Sequence, residues 1–177
     1  MPLTIEQIND LRANSPRRIE KFRSTMLAKR TERLARLEVK IKKELGTLSK
    51  RDVFIGGLFL YWGEGGKTNP YTTTLVNTDV AMIRFYLKWL VLLGVKADKV
   101  KIRLHLYHDM DIKKEINFWH SQLGIPINQF NKPQIKKTKQ KVLSRKGFGH
   151  GTCNVIVGDR DFTDKVLTTL KVLAKDI

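Results

Sequence analysis

Residues with chemistry to offer cluster in three stretches of the chain. The first ends at Glu64. It follows a very hydrophobic run, Val53-Phe54-Ile55-Gly56-Gly57-Leu58-Phe59-Leu60-Tyr61-Trp62-Gly63, and precedes Gly65, Gly66 and Lys67. The run reads as a helix, although each interior glycine costs about 1 kcal/mol relative to alanine. Gly56 and Gly63 stand two turns apart and so share a face. A glycine face kept at that cost points to close approach of another backbone. Glu64 is then delivered at the C-terminal end, where the helix dipole disfavours a negative charge. A neutralising cation would relieve it. The plainer alternative is a polar residue closing a buried, glycine-rich helix.

The second stretch is Val100 to His108, which alternates strictly. Val100, Ile102, Leu104 and Leu106 face one way; Lys101, Arg103, His105 and Tyr107 face the other. That is a strand with one buried face and one cationic face. His105 and His108 point to opposite sides, which makes them a poor metal pair. His108, Asp109 and Asp111 read best as a strand end followed by a helix cap. The third stretch runs from Lys132 to Lys146 and contains no acid; no acid occurs anywhere between Ile116 and Gly158. Its alternative reading is a solvated hairpin. Cys153 alternates with Val155 and Val157 and reads as core. Gly65-Gly66-Lys67-Thr68 follows a helix and lacks the glycine spacing of a phosphate loop.

Composition narrows the classes of function. The chain has 177 residues, with 34 Lys+Arg against 17 Asp+Glu, a net charge of +17. At 41% hydrophobic it is not wholly disordered. The uncharged run from Val53 to Gly63 has 11 residues, far short of the ~20 that cross a bilayer. No membrane partner is therefore expected. Met1-Pro2 begins no secretory leader, and the single Cys153 excludes an internal disulfide framework or a cysteine zinc finger. The expectation is a cytoplasmic or other intracellular protein with a polyanionic partner, most often nucleic acid. The charge is concentrated: residues 1–50 are net +7 and residues 131–150 are net +7, while residues 151–177 are neutral.

These groups need elements to hold them. Residues 1–50 read as a basic helical arm. Leu3 to Leu11 is a short lead-in helix capped by Thr4. Ser15-Pro16 starts a long helix that Gly46 stops. Its apolar positions Ile19, Phe22, Met26, Leu34, Leu37, Ile41 and Leu45 step by three and four around an otherwise Arg- and Lys-rich surface. It would pack or pair as a short coiled coil, lie along phosphates, or do both with opposite faces. Residues 51–177 read as one domain in the order α-β-α-β-α-β-β-α. Tyr71–Asn77 is a strand, and a buried helix capped by Thr78 or Asp79 follows. Asp111 starts an amphipathic helix stopped by Gly124. Asn128–Lys137 and Gly151–Val157 are strands joined by the basic link from Thr138 to His150, and Phe162, Val166, Leu170 and Leu173 mark a last helix. The fold class is α+β: helices on one face of a mostly antiparallel sheet, with the other face open. An open face lined with Lys, Arg, His and Tyr suits a nucleic-acid groove. Lys101, Arg103, His105, Tyr107, Gln129, Asn131, Lys137, Lys139 and Arg145 are the candidate nucleic-acid contacts.

The segment Ile55-Gly56-Gly57-Leu58-Phe59-Leu60-Tyr61-Trp62-Gly63-Glu64-Gly65 resembles the motif helix of the LAGLIDADG homing endonuclease family. Gly63-Glu64-Gly65 matches its small-acid-glycine ending, and the likeness covers about Asp52 to Ile177. Trp62 stands where many members carry an acid or a small polar residue. The resemblance implies a homing-endonuclease-like fold in which motif helices pack in pairs, here through Gly56, Gly57, Leu60 and Gly63. With one motif per chain, it implies a homodimer on a nearly palindromic double-stranded DNA site. It implies that Glu64 and the Gly63 carbonyl bind Mg2+, which activates water and stabilises the leaving oxygen. Lys132 and Lys136 are the candidate catalytic cations beside the phosphate. Relatives of this fold also include non-catalytic DNA- or RNA-binding regulators and maturases, and that reading stands as the alternative.

Overall fold

The computed structural model describes residues 2–13, 16–137 and 149–175. Ser15, the expected cap of the long helix, lies outside them, as do Lys139, Arg145 and the rest of the basic link 138–148. The chain divides into two compact units, Met1–Leu48 and Ser49–Ile177.

The first unit contains α1 (Ile5–Ala13) and α2 (Pro16–Leu45). Thr4 and Gln7 cap α1 reciprocally: the Gln7 amide donates to Thr4 Oγ1 at 3.3 Å, and the Thr4 amide donates to Gln7 Oε1 at 3.0 Å. Gly46, at φ 57°, ends α2 in a left-handed conformation that glycine adopts without steric cost. Ion pairs one turn apart brace the C-terminal half of α2. Glu32 pairs with Arg36, Glu38 with Lys42 at 2.6 Å, and Lys40 with Glu44 at 3.6 Å. All are exposed, so each contributes only a few tenths of a kcal/mol.

The second unit runs α3 (Lys50–Glu64), β1 (Gly65–Gly66), β2 (Thr72–Asn77), α4 (Val80–Leu92), β3 (Val100–Tyr107), α5 (Ile112–Leu123), β4 (Phe130–Lys136), β5 (Thr152–Gly158) and α6 (Arg160–Leu173). Local chemistry marks its boundaries. Ser49 and Asp52 form a capping box on α3. The carboxylates of Asp79, Asp111 and Asp159 cap α4, α5 and α6. Gly124, at φ 68°, ends α5.

The strands form one mixed sheet in the order β1-β2-β5-β3-β4. Three of the neighbouring pairs are antiparallel. The pair β3–β4 is parallel, because α5 carries the chain across as a crossover. The unit is α+β, as its pattern predicted. Alternate strand residues enter the core: Leu75 from β2; Val100, Ile102, Leu104 and Leu106 from β3; Cys153, Val155 and Val157 from β5. They meet Leu58 and Tyr61 of α3, Ile83, Tyr86, Trp89 and Leu90 of α4, Trp119 of α5, and Val166 and Leu170 of α6. Burial pushes the Cys153 thiol up to about 12, as befits a core residue.

The costly glycines of α3 have a specific use. A Cβ on Gly57 would collide with the Trp89 indole of α4, and one on Gly56 would lie 3.0 Å from the Phe85 ring. The Trp89 indole N–H donates to the Phe54 carbonyl at 3.1 Å. The close approach that these glycines permit is therefore by aromatic side chains of α4 in the same chain. Leu60 also packs against this core. Of the four residues expected to line a pairing face, only Gly63 is open, with free space where a side chain would project. Beside it on α3, Phe59 (49% exposed) and Trp62 (37% exposed) stack on each other at 6.0 Å.

Candidate nucleic-acid interface

The face of the sheet opposite the helices is built by the strand residues that skip the core. Its rows follow from the pairing register. Lys101 lies opposite Ile156, Arg103 opposite Asn154, and His105 opposite Thr152. Val76 lies opposite Asn154 and Thr74 opposite Ile156. On the outer side Arg103 pairs with Asn131, His105 with Gln134 and Tyr107 with Lys136. A register shift between Arg103 and His105 allows Pro133 to sit in this edge strand. The face thus carries Lys101, Arg103, His105 and Lys136 among Thr, Asn, Gln and aliphatic residues, with no carboxylate on any strand position. Tyr107, expected among the contacts, is buried beneath Lys136 and is not one.

The electrostatic consequence is visible at His105. Burial first, and then the positive charges of Lys136 and Arg103, hold its imidazole below the usual value of 6.5. Lys136 Nζ lies 5.2 Å above the Tyr107 ring, so its stem covers the phenol while its ammonium remains exposed. Asn154 contributes a buried Oδ1 with no hydrogen-bond partner among the described residues. Such an acceptor lowers its energy by gaining a donor. The face offers fixed cations and side-chain amides.

Not every expected contact residue belongs to it. Gln129 is buried, and its amide donates to the Ala97 carbonyl at 2.6 Å and the Val100 carbonyl at 2.7 Å. It closes the loop before β3 and is removed from the nucleic-acid set. Asn131 lies on the face, and Lys137 is exposed just beyond β4.

Glu64 ends α3 and is exposed. Its carboxylate makes no hydrogen bond or ion pair among the described residues. The neighbouring cation is Lys67, whose Nζ donates to the Gly65 carbonyl at 2.8 Å. Sequence reasoning misses Lys67, although its position three residues after Glu64 is a usable signal. Lys132 and Lys136 are not brought to Glu64. They lie on β4, and Glu64 leads directly into β1, the opposite edge of the sheet. Four strand spacings separate those edges, about 19 Å. The expected grouping of these lysines with Glu64 does not form within one chain.

Among the described residues, no group of three His, Cys, Asp or Glu side chains is placed to hold a metal ion. Glu64 supplies one carboxylate beside helix-end carbonyls. Those are hard oxygen donors that suit Mg2+, which needs only one or two carboxylates when phosphate and water complete its shell.

One polar cluster has no sequence signal, because its partners are 35 residues apart. His150 Nδ1 lies 2.9 Å from the buried Glu115 carboxylate, and its ring stacks on Phe118 at 3.4 Å. The Trp119 indole donates to the His150 carbonyl at 2.8 Å. Gly151, at φ 66°, then lets the backbone press against Leu106 and the His105 carbonyl. This clasp fixes where the chain enters β5 and its row of face residues.

No helix among the described residues is long and apolar enough to cross a membrane. No protein-family model, no curated protein and no solved structure matches the chain.

Proposed function

We propose that this protein binds double-stranded DNA through the open face of its sheet, as a homodimer of LAGLIDADG-like architecture that cleaves DNA with Mg2+. The observation that carries the binding reading is the carboxylate-free face with Lys101, Arg103, His105 and Lys136. A solvated surface ordinarily mixes charge signs. Here one sign occupies three sites on a rigid sheet, Lys101, Arg103 and Lys136, with His105 and the amides of Asn131 and Gln134 between them. Cations on such a face position the phosphates, while amides can read base edges.

The cleavage part rests on Glu64 and on the exposed strip Phe59-Trp62-Gly63 of α3. Two copies packed along that strip would bring two Glu64 carboxylates together. When bound there, Mg2+ supplies an activated water and charge stabilisation at the phosphate. Glu64 and the Gly63 carbonyl would hold the ion. Lys67, in place of Lys132 and Lys136, is the cation beside the reacting phosphate. A non-catalytic DNA- or RNA-binding regulator on the same fold is the second reading. It is favoured by the placement of Lys132 and Lys136 on β4, at the sheet edge opposite Glu64.

Selection from a randomised duplex pool in Ca2+ tests both parts. A long, nearly two-fold-symmetric site is expected, cut when Ca2+ is replaced by Mg2+. Glu64→Gln is expected to abolish cutting and spare binding. A selected site that stays intact in Mg2+ would leave the binding module and remove the nuclease. Cutting that survives Glu64→Gln would remove the assigned role of Glu64.

A further inference from the structure

The N-terminal half of α2 carries a feature that the sheet does not need. Phe22, Met26 and Leu27 are 66%, 50% and 65% exposed. They line one shallow groove with Arg23, Lys29, Arg30 and Arg33. The carboxylates Glu32, Glu38 and Glu44 are already engaged one turn away along their own helix. None of the groove's four cations has an ion-pair partner among the described residues. The groove therefore combines unpaired positive charge with large uncovered apolar side chains, and its occupant must answer both.

Charge removes the occupants available within this chain. Pro16–Arg33 holds 7 Lys+Arg against 2 Asp+Glu, so a second copy of α2 would set net +5 against net +5. The unit Ser49–Ile177 has 22 Lys+Arg against 11 Asp+Glu, net +11, and is no better a counterpart. Apolar exposure removes two more. Duplex phosphates would satisfy the arginines but offer nothing to Phe22, Met26 and Leu27. A lipid surface seats a helix by a continuous apolar face, and here Arg23 and Arg30 share the groove with the apolar residues. What fits is a helix that presents apolar side chains and carboxylates together on one face.

We propose that Ile19–Arg33 is a docking surface for an acidic amphipathic helix of another protein. Phe22, Met26 and Leu27 receive its apolar stripe, and Arg23, Lys29, Arg30 and Arg33 its carboxylates. The proposal does not depend on the nucleic-acid reading.

Fluorescence anisotropy with the full chain and two synthetic helical peptides tests it. Both peptides carry the same number of Glu residues; one has Leu along a stripe spaced by three and four, and the other has Gln at those positions. The Leu peptide is expected to bind at least about tenfold tighter than the Gln peptide. Phe22→Ser with Met26→Ser is expected to weaken the Leu peptide by about tenfold or more, the scale of losing central apolar anchors. Both positions are exposed, so helicity by circular dichroism and affinity for a duplex are expected to be unchanged. Equal binding of the two peptides would overturn the proposal by reducing the surface to bare charge. Full affinity of the double variant for the Leu peptide would overturn the assigned anchors. Loss of duplex affinity in that variant would reassign the arm to nucleic acid.

Discussion

The two faces of the five-stranded sheet are made by alternate residues of the same strands, yet they obey different rules. Along β3 the covered face takes Val100, Ile102, Leu104 and Leu106, none more than 6% exposed. The open face takes Lys101, Arg103 and His105 from between them. The covered face is fixed by shape: Gly57 exists because Trp89 fills the space a side chain would take. The open face is set by charge: Lys101, Arg103 and Lys136 project from it with no carboxylate on any strand position. Substitutions on the first should cost stability, and substitutions on the second should cost partner binding with the fold intact. That separation can be attacked from either side.

The largest effect is expected at Gly57. Its Cβ position falls within the Trp89 ring, and α3 and α4 cannot part without opening the core. Gly57→Leu is expected to give no soluble cooperative fold, by thermal unfolding and circular dichroism. Overpacking of this kind costs several kcal/mol against a typical total of about 5–15. A variant that melts like the parent would mean that α3 is not packed as described.

Next comes Leu104, 1% exposed between β4 and β5. Leu104→Ala is expected to lose about 3 kcal/mol in denaturant unfolding, the middle of the range for buried leucines. The neighbouring Arg103→Gln should stay within about 0.5 kcal/mol of the parent. Similar losses for the two would erase the distinction between the faces.

The smallest expected effect is in the pH dependence of His105. Its folded value lies below 6.5, so the unfolded chain binds the proton more readily. Its contribution to stability is complete above 6.5 and declines as pH falls below that value. A phosphate beside the ring would reverse the electrostatic cause, so DNA binding should take up a proton. Affinity is then expected to rise as pH drops below 6.5, and His105→Gln should flatten that rise. An affinity that falls over this window, or one unaffected by His105→Gln, would place the phosphate away from His105.

Much of this contrast is legible in the sequence. The period-two alternation from Val100 to Tyr107 separates the faces of β3, and the acidic and serine caps mark the helix starts. The order of elements after residue 52 follows from those signals, except for the two-residue β1, whose glycines carry no strand signal. Other features depend on contacts distant in sequence. Nothing local tells Gly57 that its neighbour will be Trp89, so from sequence its glycine reads as a contact between chains. Gln129 reads as a surface amide because the loop at Ala97 comes within its reach only in the folded chain. The parallel pairing of β3 and β4 places Lys132 and Lys136 at the edge opposite Glu64. No spacing rule reveals strand order. The Glu115–His150 clasp is silent for the same reason.

The most direct test of the open face measures DNA affinity against salt for the parent and for Lys101→Gln/Arg103→Gln/Lys136→Gln. Each lost phosphate contact removes about 0.9 from the slope of log affinity against log salt. The triple variant is expected to fold normally, bind much more weakly at low salt, and show a slope shallower by about 3. A folded variant that keeps the parent's affinity and slope would contradict the assignment of the sheet face as the nucleic-acid surface.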